Sequence, residues 1–326
     1  MTAQHDPAPD PMSPDPTNSD PTTPDPTTSD PTTQSPEPLK ARIAGAPISW
    51  GVCEVPGWGH QLSADRVLAE MHDAGLAATE FGPDGFLPAD RAKRRALLEK
   101  HRLTAIGGFV PAVLHEPGHD PWPAVKQALY TAFTGGADLL VLAAVTGRDG
   151  YDSRPDLDDS GWRRLFWNLD RVRERAAELG VRACLHPHVG TMIETGRDVV
   201  RLLERSATPL CLDTGHLLIG GGDPARLARE APDRILHTHL KDVDAALAVQ
   251  VRDGTLTYHD AVRAGLYTRL GDGDADIAGV VAALEGNGYQ GWYVLEQDTV
   301  LDSEPDDGTG PPDAVRAGVA YLESLP

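Results

Sequence analysis

A chain of 326 residues, 40% of them hydrophobic, is long enough to bury a sizeable core in one large α/β domain or two smaller ones. Its formal net charge of −20 argues against nucleic acid or an anionic membrane as partner, because both repel an acidic surface. Cys53, Cys184 and Cys211 are too few for a disulfide framework and none has CxxC spacing; with no signal-peptide pattern and no run of 18 apolar residues, a cytoplasmic protein is expected.

Residues 1–39 repeat Asp-Pro with Thr and Ser between, and 11 of the 28 prolines fall there. Such a segment cannot bury apolar area to offset chain entropy, so a disordered tail is expected, followed by a catalytic domain over 40–326. The seven acids of that tail set aside, the remainder still carries −13.

From Arg42 onward short apolar runs alternate with amphipathic stretches. The runs predict strands at 43–49, 77–81, 103–109, 138–143, 181–186, 208–213, 234–240 and 291–296. Helices are predicted at 63–74, 90–101, 121–135, 160–179, 196–205, 224–231, 276–287 and 311–324. Ser63, Asp90, Asp223-Pro224 and Pro311-Pro312 supply cap or first-turn signals. Eight strand–helix units predict a (β/α)8 barrel. The rival, an open doubly wound sheet, usually carries a glycine-rich phosphate loop after its first strand, and 51–57 is not one. The longest insertion, 241–275, follows the seventh strand and reads as a lid, an oligomer arm or a surface excursion.

Four of the later strands end in His, Asp or Glu, which a merely buried strand does not need. His186 and His188 end the fifth, with Glu194 just beyond; Asp213 ends the sixth; His239 lies near the end of the seventh; Glu296 ends the eighth. In such a barrel these tips converge on the active site. Mixed carboxylate and imidazole donors suit Mn²⁺, Co²⁺, Fe²⁺, Mg²⁺ or Zn²⁺. Asp213 can alternatively cap the next turn. His237 and His239 share one face of their strand, and His239, nearer the tip, is the ligand candidate, with His237 a buried hydrogen-bonded histidine. Lys241 on the same face either polarises a substrate oxygen or pairs with Asp242. Trp50, at the end of the first strand, either stacks on a sugar-like ring or seals the barrel. Glu80, at the end of the second, is positioned to accept hydroxyl hydrogen bonds. Asp272 and Asp274 suggest a calcium loop on one DxD alone.

The runs Ala46-Pro47-Ile48-Ser49-Trp50-Gly51, His186-Pro187-His188-Val189-Gly190-Thr191 with Glu194, Cys211-Leu212-Asp213-Thr214-Gly215-His216, Gly220-Gly221-Gly222-Asp223-Pro224 and His239-Leu240-Lys241-Asp242-Val243 together resemble the inosose dehydratases (2-keto-myo-inositol dehydratases) of the xylose-isomerase-like barrel superfamily. The resemblance runs from about residue 42 to the C-terminus. It implies one divalent metal, Mn²⁺ or Co²⁺, held by a Glu, Asp, His, Glu set. Asp213, His239 and Glu296 match the last three; Glu194 is the choice for the first, with His186 or His188 as alternative. It also implies a lyase of inositol catabolism acting on a small polyol or ketose, with a homo-oligomer among its assembly options.

Dehydration of a 2-ketocyclitol needs a base for the proton beside the ketone and an acid for the departing β-hydroxyl. His188, His216, Lys241 and Glu80 are the candidates, His188 or His216 for proton transfer and Lys241 for oxygen polarisation; His186 is a substrate-binding candidate with Trp50. A sugar isomerase or epimerase shares the first proton transfer. A non-catalytic sugar-binding barrel would show gaps in the ligand set. An endonuclease of the same superfamily is disfavoured by the acidic core.

Overall fold

The structure, a computed structural model, describes residues 37–326. The expected tail over 1–39 lies outside the described residues except for its last three. Of those, Leu39 opens a 3-10 turn (Leu39–Arg42) and packs against the hydrophobic core.

Eight parallel strands close into a barrel. In chain order they are β1 (Ile43–Gly45), β2 (Ala78–Glu80), β3 (Thr104–Ala112), β4 (Leu139–Ala144), β5 (Arg182–Leu185), β6 (Leu210–Asp213), β7 (Ile235–Leu240) and, after a two-stranded hairpin described below, β10 (Tyr293–Leu295). Around the barrel the order is β1-β10-β7-β6-β5-β4-β3-β2, which is sequential and closed. All eight predicted strands are present. The first is shorter than 43–49, because Pro47–Trp50 turns into a 3-10 helix that ends at Gly51 with φ 75°.

Helices alternate with the strands: α1 (Ala64–Asp73), α2 (Arg91–Lys100), α3 (Trp122–Gly135), α4 (Asp159–Glu178), α5 (Gly196–Arg205), then α6 (Thr214–Ile219) and α7 (Pro224–Glu230). Their starts follow from local chemistry. Ser63, Asp90 and Asp223 accept hydrogen bonds from the amides of Arg66, Lys93 and Arg226. Thr195 and Asp198 form a reciprocal capping box on α5.

The register decides what fills the barrel. Parallel neighbours at one level share a face, and Ala44 pairs with Val294 and Ala78, while Val294 pairs with His239. That face points inward. Ala44, Ala78, Ile106 and Val294 form one small apolar cluster, and Leu139, Val141, Cys184 and Cys211 another. The two buried cysteines therefore serve as small packing residues. The larger core lies between strands and helices.

The insertion folds as a unit over the barrel mouth. A short antiparallel pair, β8 (Asp242–Val243) and β9 (Tyr267–Thr268), brackets α8 (Ala245–Arg252) and α9 (Tyr258–Arg263). It buries Val243, Ala248, Tyr258, Ala261 and Leu266 against Trp58, Val189 and Ile219. A loose surface excursion would not bury this much apolar surface; the segment packs on the barrel as a cover. The chain closes with α10 (Ile277–Gly286) and α11 (Pro311–Ser324). Among the described residues no helix is long and apolar enough to cross a membrane.

One buried guanidinium fastens the barrel seam. Arg42 Nε donates to the Glu37 carbonyl at 2.9 Å, and Nη1 donates to the carbonyls of Tyr289 at 3.0 Å and Gly291 at 3.2 Å. Its Nη2 reaches both carboxylate oxygens of Glu285 at 2.8 and 2.7 Å. Loss of this side chain leaves buried carbonyls and a half-buried carboxylate unpaired, at a cost of about 2–3 kcal/mol. Arg42→Ala is therefore expected to lower the melting temperature by roughly 3–5 °C, and Arg42→Lys to recover only part of it, as read by thermal unfolding.

Candidate active site and metal centre

The strand tips surround a cavity of about 400 Å³. Trp58, Glu80, Phe109, Tyr151, His186, His188, Glu296 and Asp298 line its polar end. Cavities of this size suit small-molecule ligands.

Glu80 organises the floor. It reaches across the barrel from β2 to β7, where its Oε1 lies 2.9 Å from His237 Nε2 and 3.0 Å from His239 Nε2. An ionised carboxylate only accepts, so both imidazoles must donate from Nε2. Burial would raise the Glu80 pKa, but the two imidazoles hold it well below the usual carboxylate range. With Nε2 committed to Glu80, Nδ1 is the His239 atom left for a proton or a cation; burial would lower the His239 pKa, but Cys211, Glu296 and Glu80 hold it well above its usual value. Nδ1 lies 3.0 Å from Glu296 Oε2 and 3.7 Å from Asp213 Oδ2, yet it has no hydrogen-bond partner.

Asp213 does two jobs, so its two readings coexist. Its Oδ1 accepts the His216 amide at 2.7 Å and caps α6. Its Oδ2 faces His186 Nε2 at 3.2 Å. Burial would raise Asp213, but His216, Lys241 and His186 hold it well below the usual range. Burial also acts against Glu296, and His239 and Lys241 overcome it, pulling Glu296 down to about 2.

Lys241 is fully buried. Its Nζ lies 2.7 Å from Glu296 Oε1 and 3.8 Å from Asp213 Oδ2, and it also bonds Asp298. It does not pair with Asp242. Asp242 instead accepts the amides of Gly271 at 2.8 Å, Gly273 at 3.0 Å and Ala275 at 3.0 Å. That binding, with Asp274 capping Ala245 at 2.8 Å, explains the Gly-Asp-Gly-Asp loop without calcium. The expectation that Lys241 polarises a substrate oxygen is corrected too: it is enclosed and absent from the cavity wall.

His188 and His216 pack together with ring centroids 3.7 Å apart and planes tilted by 37°. His188 Nδ1 lies 2.7 Å from the Val189 carbonyl, a pure acceptor, so Nδ1 carries the proton and Nε2 is free to accept one. Burial, with His186 and Lys241 nearby, lowers His188 to about 3, and burial beside His188 holds His216 well below its usual range. Both are neutral imidazoles at neutral pH. His188 lines the cavity; His216 does not, and both its ring nitrogens are buried without partners.

Two expected residues lie elsewhere. Glu194 is not brought to the centre: its Oε2 faces Arg154 Nε at 3.5 Å, and no cluster of metal-ligating atoms among the described residues includes it. Arg154, also bonded to Asp198 at 2.7 Å, holds that acidic pair on the α5 side. Trp50 is fully buried, with Nε1 donating to Glu70 at 2.8 Å, so it packs the barrel wall and does not line the cavity. The 3-10 turn over Pro47–Trp50 rotates it away from the mouth, and Trp58 takes the aromatic place on the cavity wall.

The donor set fits a divalent cation. One ligand atom each from Asp213, His239 and Glu296 lies within 4.8 Å of the others, and His186 lies beside Asp213. Three buried carboxylates, Asp213, Glu296 and Asp298, face the single ammonium of Lys241, an excess of negative charge that a dication offsets. A His that donates one N–H to a carboxylate and leaves the other nitrogen bare is the usual arrangement of a metal-ligating imidazole.

The model of a xylose isomerase-like TIM barrel matches residues 68–325. The chain is 34% identical to the rhizopine catabolism protein MocC of Rhizobium meliloti over 79% of this chain and 82% of that one. It is 32% identical to an inosose dehydratase of Geobacillus kaustophilus (strain HTA426), over 78% and 86% of the two chains. The chain belongs to the xylose isomerase-like TIM-barrel family, in its inosose dehydratase branch.

Solved structures agree on the fold. A D-allulose 3-epimerase from Methylomonas sp. has a TM-score of 0.61 at 17% identity, covering 89% of this chain and 99% of that one. The probable 3-DHS dehydratase AsbF from Bacillus anthracis has a TM-score of 0.63 at 14% identity, covering 87% and 100%.

Sequence reasoning missed Asp298, Tyr258 and Tyr151. Asp298 was within reach of it: two residues beyond Glu296 in an extended segment, it shares the same face. Tyr258 and Tyr151 carry no local signal. The Trp50 correction has a direct check. Trp50→Phe removes one buried hydrogen bond worth about 1–2 kcal/mol, so the melting temperature is expected to fall by a few degrees while the KM for substrate stays within twofold.

Proposed function

We propose that the protein is a metal-dependent hydro-lyase that removes water from a 2-ketocyclitol of the inosose type in inositol catabolism. The observation that carries this reading is 31% and 32% identity with two inosose dehydratases over 79% and 78% of the chain. The imidazole- and carboxylate-lined cavity supports it independently.

In this reading Asp213, His239 and Glu296 hold the metal, with His186 as fourth ligand in place of Glu194, and Mn²⁺ or Co²⁺ is the ion. A divalent ion there supplies Lewis-acid stabilisation of negative charge developing on the ketone oxygen. Glu80 is the positioning residue that fixes the His239 tautomer. The same reading places the enzyme in the cytoplasm, where its three cysteines stay free thiols.

His188 moves the proton. Its Nδ1–H is committed to the Val189 carbonyl, and its bare Nε2 belongs to a side chain on the cavity wall. Nε2 takes the proton from the carbon beside the ketone, and the C–H electron pair moves toward the carbonyl. The imidazolium then returns that proton to the β-hydroxyl as its C–O bond breaks, and the hydroxyl departs as water. His216 packs against His188 and holds its ring in place.

Metal analysis tests the ligand set: Asp213→Ala and His239→Ala should lose stoichiometric metal, while Glu194→Ala keeps it. Glu80→Gln should weaken metal affinity about 10–100-fold, read by titration with Mn²⁺. His188→Ala should lower kcat about 10²–10⁴-fold with metal still bound. Incubation with inosose in deuterated water should give an ultraviolet-absorbing dione. Deuterium in recovered or epimeric ketose without the dione would make the protein an epimerase, and neither product nor exchange would leave a binding protein.

A further inference from the structure

The insertion delivers Tyr258 into the polar network beneath the cavity. Tyr258, on α9, is buried to 1% exposure among apolar neighbours, yet its hydroxyl lies 2.6 Å from Asp298 Oδ2 and 2.7 Å from the Tyr267 hydroxyl. The other Asp298 oxygen is held by Lys241, whose ammonium also bonds Glu296 at 2.7 Å and sits 5.3 Å from the centre of the Tyr267 ring. Asp298 is thus gripped from two sides, one grip from Lys241 just after β7 and one from α9.

A carboxylate offers about four acceptor positions, and these two donors leave some of them open. Asp298 lines the cavity, and one of its oxygens lies within 4.8 Å of ring nitrogens of His188 and His216. An acceptor-only group beside the proton-transfer imidazole suits a substrate that presents hydroxyl donors on consecutive carbons. From this geometry we infer that Asp298 is a substrate-contacting residue that accepts a hydrogen bond from one ring hydroxyl, and that Tyr258 is its positioning residue. The inference rests on the ketocyclitol reading and deepens it: the insertion does more than cover the site, because it helps set which hydroxyl pattern binds. A site built to bond a hydroxyl discriminates strongly against the analogue that lacks it.

The test uses the metal-loaded full chain and its Asp298→Asn and Tyr258→Phe variants. Calorimetry measures the Kd of inosose and of a set of monodeoxy analogues, each missing one hydroxyl. The wild type should bind one analogue about 10–100-fold more weakly than inosose through loss of a charge-assisted bond. Asp298→Asn should compress that single ratio to about threefold and leave the ratios for the other analogues unchanged. Tyr258→Phe keeps the ring packing and should compress the same ratio part-way, with the melting temperature lowered by no more than a few degrees. Ratios that stay as in the wild type, or binding that weakens equally for every analogue, would overturn the inference. Turnover of inosose by the wild type separates the two readings. Turnover with unaltered ratios sinks this inference alone. The expected ratios without turnover sink the dehydratase reading alone, and a wild type that does not bind inosose sinks both.

Discussion

The carboxylate of Glu80, buried across the barrel from its two imidazole partners, is the interaction on which the site depends. A carboxylate taken out of water costs several kcal/mol unless its charge is met by good donors. Here two Nε2–H groups meet it, at 2.9 and 3.0 Å. That requirement sets both tautomers at once. It turns Nδ1 of His239 toward Asp213 and Glu296, and so fixes which atoms can converge on a cation. β2 and β7 are not neighbours; β1 and β10 stand between them, so this contact exists only in a closed barrel.

Lys241 has the complementary role. One ammonium within reach of Asp213, Glu296 and Asp298 keeps three carboxylates from repelling one another apart. Burial lowers a lysine pKa, but these carboxylates reverse the effect and hold Lys241 well above its usual value. Its stem needs room, and the neighbouring turn supplies it: a Cβ at Gly215 would lie 2.7 Å from the Lys241 Cβ. The Asp-Thr-Gly-His run thereby combines a cap for α6, a carboxylate for the centre and space for the lysine.

The insertion joins packing to chemistry. Its apolar face covers the mouth, which excludes water from the imidazole pair and lowers the local dielectric, so hydrogen bonds and charges beneath it act more strongly. The Tyr258 phenol then enters the carboxylate network, as α9 is pinned through the Tyr258 amide to Asp152 at 2.7 Å.

Much of the fold was legible because barrel strands and their helices have short-range periods. Apolar runs marked all eight strands, polar tips singled out the last four, and cap residues marked several helix starts. The residues at the tips, Asp213, His239 and Glu296, follow from that pattern. What stayed hidden was direction. Glu194 and Trp50 lie near the right tips in sequence, but a guanidinium forty residues upstream holds one, and a local 3-10 turn with a buried carboxylate partner captures the other. Asp298, Tyr258 and Tyr151 meet only after residues more than a hundred positions apart are brought together. The sequence by itself determined which side chains stand at the ends of strands, because a strand's two-residue period and its caps are local properties. Only the tertiary structure decided which of them face one another, because ion pairs and hydrogen bonds between distant segments form once the barrel closes and excludes water.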